Sequence, residues 1–189
     1  GRTLINLDSG EEGAFIVGCA GGPMLETVFP LKREKASEKM VARLLAVRGL
    51  KGGHSGEDIH RGRANSIKLM ARTLGALVDS MPVRLERIEA GLKYNAIPRE
   101  ATAVILIPEQ EADRAQAIAK TMEETFLREY RIGDPQITVS LSDAEAKEDP
   151  VTEESFLNLL DYLCLAETGI IRMDAELKDT VESSVSMGT

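Results

Sequence analysis

The fold is decided by the stretch MVARLLAVRGLKGGHSG, residues 40–56. Its first part, from Met40 to Leu50, alternates and is rich in Val and Leu, a pattern typical of a β-strand. Its second part, from Gly52 to Gly56, places a histidine between glycines, which permit positive φ angles and close backbone approach. We therefore expect a strand that ends in a loop built around His54.

Helical and strand-like periods follow this stretch in a regular order. Two segments space their apolar residues as an amphipathic helix does, 61–80 and 112–130. Two segments alternate like half-buried strands, 83–89 and 137–142, and a third strand is expected at 101–107, which is almost purely apolar at its end. The order strand, helix, strand, strand, helix, strand predicts a split βαβ arrangement. We expect an α+β fold, a two-layer βαββαβ sandwich whose antiparallel sheet carries its helices on one face.

The two ends of the chain have the pattern of further short strands. These strands are expected at Leu4–Asp8, Ala14–Cys19, Leu25–Leu31 and Val181–Met187. Thr152 followed by Ser155 suits the N-cap of a third helix. We expect residues 1–35 to be strands that begin in a neighbouring domain, residues 36–175 to be the main domain, and residues 176–189 to be a strand that returns to the neighbour.

The composition argues against several classes of protein. A net charge of −8 does not suit a nucleic-acid surface, which needs a basic patch. No apolar run approaches the roughly 20 residues that span a bilayer, and no signal-peptide pattern is visible. We interpret Cys19 and Cys164 as free thiols of a reducing compartment. We therefore expect a cytoplasmic protein with neither nucleic acid nor membrane among its partners.

Two residues are candidates for contact with a ligand. The glycines around His54 clear space for its ring, and an imidazole can donate a hydrogen bond to an oxyanion. The alternative for His54 is a surface histidine that responds to pH. Asn95 stands before Ala96-Ile97-Pro98 and can offer its amide to a carboxylate or carbonyl group. The alternative for Asn95 is an ordinary turn residue.

Spacing alone gives little support for metal or nucleophile chemistry. Asp8 ends an apolar run, where active-site carboxylates often project, and its alternative is an ordinary strand-to-turn Asp. A catalytic zinc usually takes three protein ligands, and the chain has no HxxH, HExxH or CxxC spacing. Ser55 lies beside His54 but outside any G-x-S-x-G elbow. Residues 49–56 also lack the glycine spacing of a phosphate-binding loop.

Five segments, taken in chain order, match a known family. They are Leu4–Gly13, Gly18–Gly22, Leu50–Asn65, Asn95–Ala101 and the pair Gly169–Arg172 with Val181–Ser184. Together they resemble the lid region of the di-zinc metallopeptidases that include carnosinase and aminoacylase, and within them the enzymes that cleave Xaa-His dipeptides. The resemblance spans the whole chain, although the family usually has Glu where this chain has Gly10.

The resemblance implies a catalytic domain that binds two zinc ions and hydrolyses dipeptides, with a lid domain that forms a homodimer. By this resemblance, Asp8 corresponds to a ligand of one zinc ion. His54 corresponds to the lid histidine that contacts the substrate carbonyl in the active site of the partner subunit. Asn95 corresponds to a lid residue near the substrate.

The family's other zinc ligands and its water-activating Glu match no residue of these 189. One ligand cannot hold a di-zinc centre. We therefore expect a lid and dimerisation domain with flanking catalytic-domain strands, which binds no zinc stably and is inactive alone. The alternatives are a non-enzymatic βαββαβ module that binds a small ligand, and a dimerisation domain whose histidine has no function.

Overall fold

The computed structural model describes residues 12–13, 15, 21–36 and 39–189. In chain order its elements are β1 (Met40–Arg48), β2 (Gly53–His54), α1 (Ser66–Val78), β3 (Arg84–Ala90), β4 (Ala96–Ile97), β5 (Ala101–Pro108), α2 (Ala112–Glu129), β6 (Thr138–Asp143), α3 (Glu153–Leu165), β7 (Gly169–Met173) and β8 (Val181–Val185). Short 3₁₀ turns at Ile59–Arg61 and Glu109–Glu111 precede the first two helices.

The main sheet has four strands in the order β3-β5-β1-β6, and every neighbouring pair is antiparallel. This order confirms the predicted βαββαβ arrangement. One face of the sheet packs against the helices and forms an aliphatic core with a few aromatic rings. Large core side chains come from the sheet and from all three helices: Leu45, Val47, Ile105, Ile107, Met70, Leu74, Phe126 and Phe156.

The third helix also begins where the sequence predicts. The Thr152 hydroxyl accepts a hydrogen bond from the Ser155 backbone N–H, which caps α3. Phe156 and Leu160 are buried, and helix α3 contacts α1 and β3. Helix α3 is therefore part of the same hydrophobic core as the βαββαβ unit.

The ends of the chain match the expectation only in part. The strand predicted at Leu25–Leu31 is wrong, because residues 21–31 are almost wholly exposed and pair with no strand of the described chain. A strand needs a hydrogen-bonded neighbour, and in residues 21–36 only Arg33 makes an isolated bridge, with Val151. The strands predicted at 4–8 and 14–19 lie outside the described residues, apart from Phe15. The predicted last strand is confirmed as β8, which forms a hairpin with β7.

None of the helices in the described part of the chain is both long and apolar enough to cross a membrane. Cys164 is a free and exposed thiol. Cys19 lies outside the described residues.

Candidate functional site

The structure brings His54 and Asn95 together. Strand β2 pairs with β4 in a two-stranded antiparallel ladder, with His54 opposite Ala96. Next to this pair, the Ser55 N–H donates to the Asn95 carbonyl at 2.9 Å. The glycine-flanked loop and the loop before Pro98 are therefore one local structure, although about forty residues separate them in the sequence.

The ring of His54 is oriented by its own loop. Its Nδ1 atom accepts from the Gly56 N–H at 3.1 Å and from the Glu57 N–H at 3.2 Å. A neutral imidazole has one acceptor nitrogen and one donor nitrogen, so these bonds leave the proton on Nε2. Since His54 is exposed, its Nε2–H is an oriented donor that faces solvent.

Asp58 closes the loop behind the histidine. Its Oδ2 accepts from the His54 N–H at 2.9 Å, and the Asp58 N–H donates to the His54 carbonyl at the same distance. Arg61 and Arg63 form ion pairs with its two carboxylate oxygens, at 2.9 and 3.4 Å. The His54 N–H, helped by the charges of Arg63 and Arg61, holds the pKa of Asp58 below its ordinary value. Asp58 therefore stays ionised and keeps this bond at neutral pH.

The two glycines before His54 are required by the packing of this loop. Gly53 has φ +141°, and a Cβ there would overlap with the side chains of Asp58 and Arg63. Gly52 has φ +62°, and a Cβ there would overlap with the Arg99 side chain. Arg63 also donates to the Gly52 carbonyl. Only glycine gives both the backbone angles and the space that these contacts need.

A buried carboxylate that the sequence did not reveal holds the loop at both ends. Asp134 is fully buried, its Oδ1 accepts from the Lys51 N–H, and its Oδ2 accepts from the Ala64 N–H, each at 2.6 Å. In the sequence, Asp134 stands between Gly133 and Pro135, where Asp normally indicates a turn. No periodic pattern distinguishes such a residue from a solvated one.

Asn65 connects the end of the loop to the last residues of the chain. Its Oδ1 accepts from the Ile67 N–H at 3.0 Å and caps α1, which explains why the helix begins at Ser66 and not at the predicted residue 61. Its Nδ2 donates to the Met187 carbonyl at 2.8 Å. The C-terminal residues thereby lie beside the Asn95 loop, where a Cβ on Gly188 would come within 2.6 Å of the Tyr94 carbonyl oxygen.

No metal centre is formed by the part of the chain that the structure describes. There, no three His, Cys, Asp or Glu side chains are grouped so that they could hold an ion. Asp8, the predicted ligand, lies outside the described residues. Two cavities of about 660 and 450 Å³ occur near Pro150 and near Phe156, and neither includes His54 or Asn95 among its lining residues. His54 thus projects from an exposed loop.

The middle of the chain, including this loop, is similar to a known domain family. Residues 45–134 match the family model of a peptidase dimerisation domain. The matched range begins in β1 and ends at Asp134, so it includes both His54 and Asn95.

Two relatives extend the match beyond that domain. The chain is 33% identical over 185 residues to the cytosol non-specific dipeptidase of Escherichia coli (strain K12). These aligned residues make up 98% of this chain and 38% of that protein. It superposes on the crystal structure of aminoacylhistidine dipeptidase from Vibrio alginolyticus with a TM-score of 0.82 and 29% identity, covering 85% of this chain and 33% of the other. The relatives are dipeptidases, and the chain spans 38% and 33% of their lengths.

Proposed function

We propose that this chain is the lid and dimerisation segment of a zinc-dependent dipeptidase. Residues 36–175 would form the lid, and residues 1–35 and 176–189 would contribute strands to the catalytic domain. The observation that supports this proposal most strongly is the outward Nε2–H of His54, since Nδ1 already accepts two backbone N–H groups. A loop that fixes the direction of one donor is suited to binding an oxygen atom.

In this proposal, His54 acts on the substrate bound by the other subunit. The carbonyl oxygen of a peptide gains negative charge as its carbon is attacked, and a positioned N–H donor stabilises that charge by more than it stabilises the ground state. Asn95 would contact the same substrate through its side-chain amide, because its backbone carbonyl already accepts a hydrogen bond from the Ser55 N–H. Substrates would be dipeptides, including the Xaa-His type, and we expect the protein in the cytoplasm.

Zinc belongs to the part of the enzyme that the described residues do not form. We propose Asp8 as a ligand of one of two zinc ions, and the other ligands would come from residues outside this chain. The described residues do not fit a metal ion by themselves. We therefore expect the purified chain neither to bind zinc stably nor to hydrolyse Xaa-His dipeptides, and zinc-dependent turnover by this chain alone would contradict the proposal.

The decisive test is His54→Ala in a full-length dipeptidase that contains this segment. Loss of one oxyanion donor lowers kcat about 100-fold or more, and we expect KM to change by less than about threefold. His60→Ala is the matched control, because His60 is the chain's other histidine and is also exposed. A rise in KM at constant kcat, or an equal loss in both variants, would refute the role given to His54.

We further propose that a second copy of the chain pairs with the outer edge of β6. The other edge, β3, is already covered, since its Leu85 carbonyl accepts from the Val151 N–H at 2.6 Å and its Glu86 carbonyl accepts from Arg33 at 3.0 Å. At β6 the Val139 N–H points away from β1, to the Glu123 carboxylate at 2.9 Å. Antiparallel alternation then directs the N–H of Leu141 outward as well, toward an incoming strand.

Leu141→Pro tests this edge, because proline removes the outward N–H and leaves the bonds to β1 in place. Leu141→Ala is the matched control, since it removes the same apolar side chain but keeps the N–H. In sedimentation equilibrium we expect a wild-type dimer, a dimer for the alanine variant and a monomer for the proline variant. A dimer in both variants, or a monomeric wild type, would refute pairing at this edge.

A further inference from the structure

A single buried carboxylate connects the His54 loop to the turn before β6. Asp134 lies in the turn between α2 and β6, and its two oxygens accept the N–H groups of Lys51 and Ala64. Lys51 precedes the glycines of the loop, and Ala64 follows Arg63 just before α1 begins. An ionised carboxylate offers only acceptors, so it suits two converging N–H donors.

The turn that carries Asp134 is packed closely against both ends of the loop. Gly49 has φ +83°, and a Cβ there would overlap with the Gln136 carbonyl oxygen. A Cβ on Gly133 would lie 2.5 Å from the Gly62 carbonyl oxygen. The backbones thus approach each other as closely as glycine permits, and this leaves the carboxylate little freedom to move.

We propose that Asp134 is a positioning residue, which holds the loop from Lys51 to Ala64 at both ends and thereby sets the direction of the His54 ring. The consequence for catalysis rests on the function proposed above for His54, whereas the structural part of the proposal does not. Ring direction depends on the backbone of Gly56 and Glu57, whose N–H groups bind Nδ1. When the ends of the loop are released, these two donors lose their fixed positions.

Asp134→Asn tests the structural part in this chain. The variant keeps the size of the side chain but places an amide NH₂ opposite one of the two N–H donors. We expect the amides of Gly56, Glu57 and Asp58 to exchange with deuterium at least about tenfold faster than in the wild type, because local opening becomes easier. Thr73→Val is the matched control, since Thr73 is also fully buried and bonds only within α1, to the Leu69 carbonyl.

Two outcomes would overturn the structural part. One is loop exchange in Asp134→Asn that is no faster than in Thr73→Val. The other applies even if the variant fails to fold, because it uses the wild type. The Lys51 and Ala64 amides should exchange at least about tenfold more slowly than the exposed amides of residues 92–94, and equal rates would show that no clamp exists.

The catalytic part is tested by kinetics of the full-length dipeptidase. We expect Asp134→Asn to lower kcat about tenfold with KM within about threefold, the split expected for a group that acts in the transition state. Combined with His54→Ala, it should cause no further loss, because a positioning residue acts only through the group it positions. A further tenfold loss in the double variant would refute positioning. If His54→Ala leaves kcat unchanged, the proposed function fails, and the exchange result alone decides whether the clamp exists.

Discussion

Lys68 is the side chain whose removal should destabilise this fold most among its lysines. It extends from α1 to the end of α3, where its Nζ donates to the carbonyls of Leu163, Cys164 and Ala166 at 2.8, 2.6 and 2.7 Å. The last carbonyls of a helix have no partner within the helix, and α3 has no basic residue in its own last turn. Lys68 therefore supplies from another helix the cation that this C-terminus lacks.

The size of the effect follows from the change Lys68→Met, which keeps the apolar stem and removes the ammonium. A hydrogen bond to a charged group contributes about 1.5–3 kcal/mol, and a cation at a partly buried helix end contributes up to about 2 kcal/mol. The three acceptors share one donor, and the contact to Cys164 is exposed, so water replaces part of the loss. We expect the variant to lose about 2 kcal/mol of unfolding free energy, or about 4–8 °C in Tm.

The pH of this measurement matters because burial lowers the pKa of Lys68, with the nearby Cys164 opposing that shift. A lysine with a lowered folded-state pKa binds its proton more weakly in the folded chain than in the unfolded chain. Burial of the charge therefore opposes folding, and this opposition begins to fall as pH rises above the folded-state pKa and is lost above the unfolded-state pKa. The loss of about 2 kcal/mol expected for Lys68→Met applies at pH 7 and already includes the cost of burying the charge.

Urea unfolding followed by circular dichroism at pH 7 is the assay, since the chain has no Trp to report by fluorescence. Lys120→Met is the control, because Lys120 forms one exposed bond to Glu123 at 2.6 Å, and a solvent-exposed ion pair contributes little to stability. A Lys68→Met variant that unfolds within about 0.5 kcal/mol of the wild type, or that loses no more than Lys120→Met, would refute the capping role.

Two further predictions concern two glycines and the Arg72–Glu129 ion pair. Gly49→Ala should lower the unfolding free energy by at least about 2 kcal/mol, since it adds a Cβ at φ +83° against the Gln136 carbonyl. Gly75→Ala, in open space within α1, should instead raise the unfolding free energy by about 0.5–1 kcal/mol. Thermal melts in which both variants shift Tm in the same direction would contradict this prediction. Arg72→Lys should lose about 1 kcal/mol at pH 7, because Arg72 binds both Glu129 oxygens at 2.6 and 2.8 Å and lies over the Phe126 ring. The hydrogen bond from Arg72 lowers the pKa of Glu129. The stability difference between the wild type and Arg72→Lys should therefore be complete above the unfolded-state pKa of Glu and should shrink as pH falls through the folded-state pKa of Glu129. A stability difference that grows in acid would contradict this prediction.

The elements of the fold were predictable from the sequence because their signals are local. The apolar period from 112 to 130 corresponds to α2, and Thr152 caps α3 as expected. The alternation in 83–89 was a less complete guide, since it makes Glu86 a solvent-facing residue. In the structure a register shift between Leu85 and Arg87 bends β3, and Glu86 is 2% exposed, with its Oε1 bound to Arg87 and to the Lys147 N–H. Leu85 and Ile88 are three residues apart, so the alternation slips by one residue where this bulge lies.

The candidate site was predictable only where glycine marked it. His54 and Asn95 were visible because glycines and Pro98 punctuate their loops. Asp134 and Lys68 were not, because each acts on backbone atoms of a distant segment, and such contacts leave no period, motif or composition shift. Lys68 in particular lies off the apolar face of α1, where a lysine is normally solvated. Side chains that bind distant backbone become visible only when the topology is known.

The topology itself explains why these loops meet. Strand β1 ends at Arg48, and its last residues pair with the first residues of the two strands beside it, Val47 with Ala101 of β5 and Arg48 with Thr138 of β6. In an antiparallel sheet, the loop that leaves one strand and the loops that enter its neighbours lie at the same end. The His54 loop, the Asn95 loop and the Asp134 turn are those three loops. In the proposed role, the chain can therefore orient the His54 donor with its own backbone and one buried carboxylate, whether or not a metal site is present.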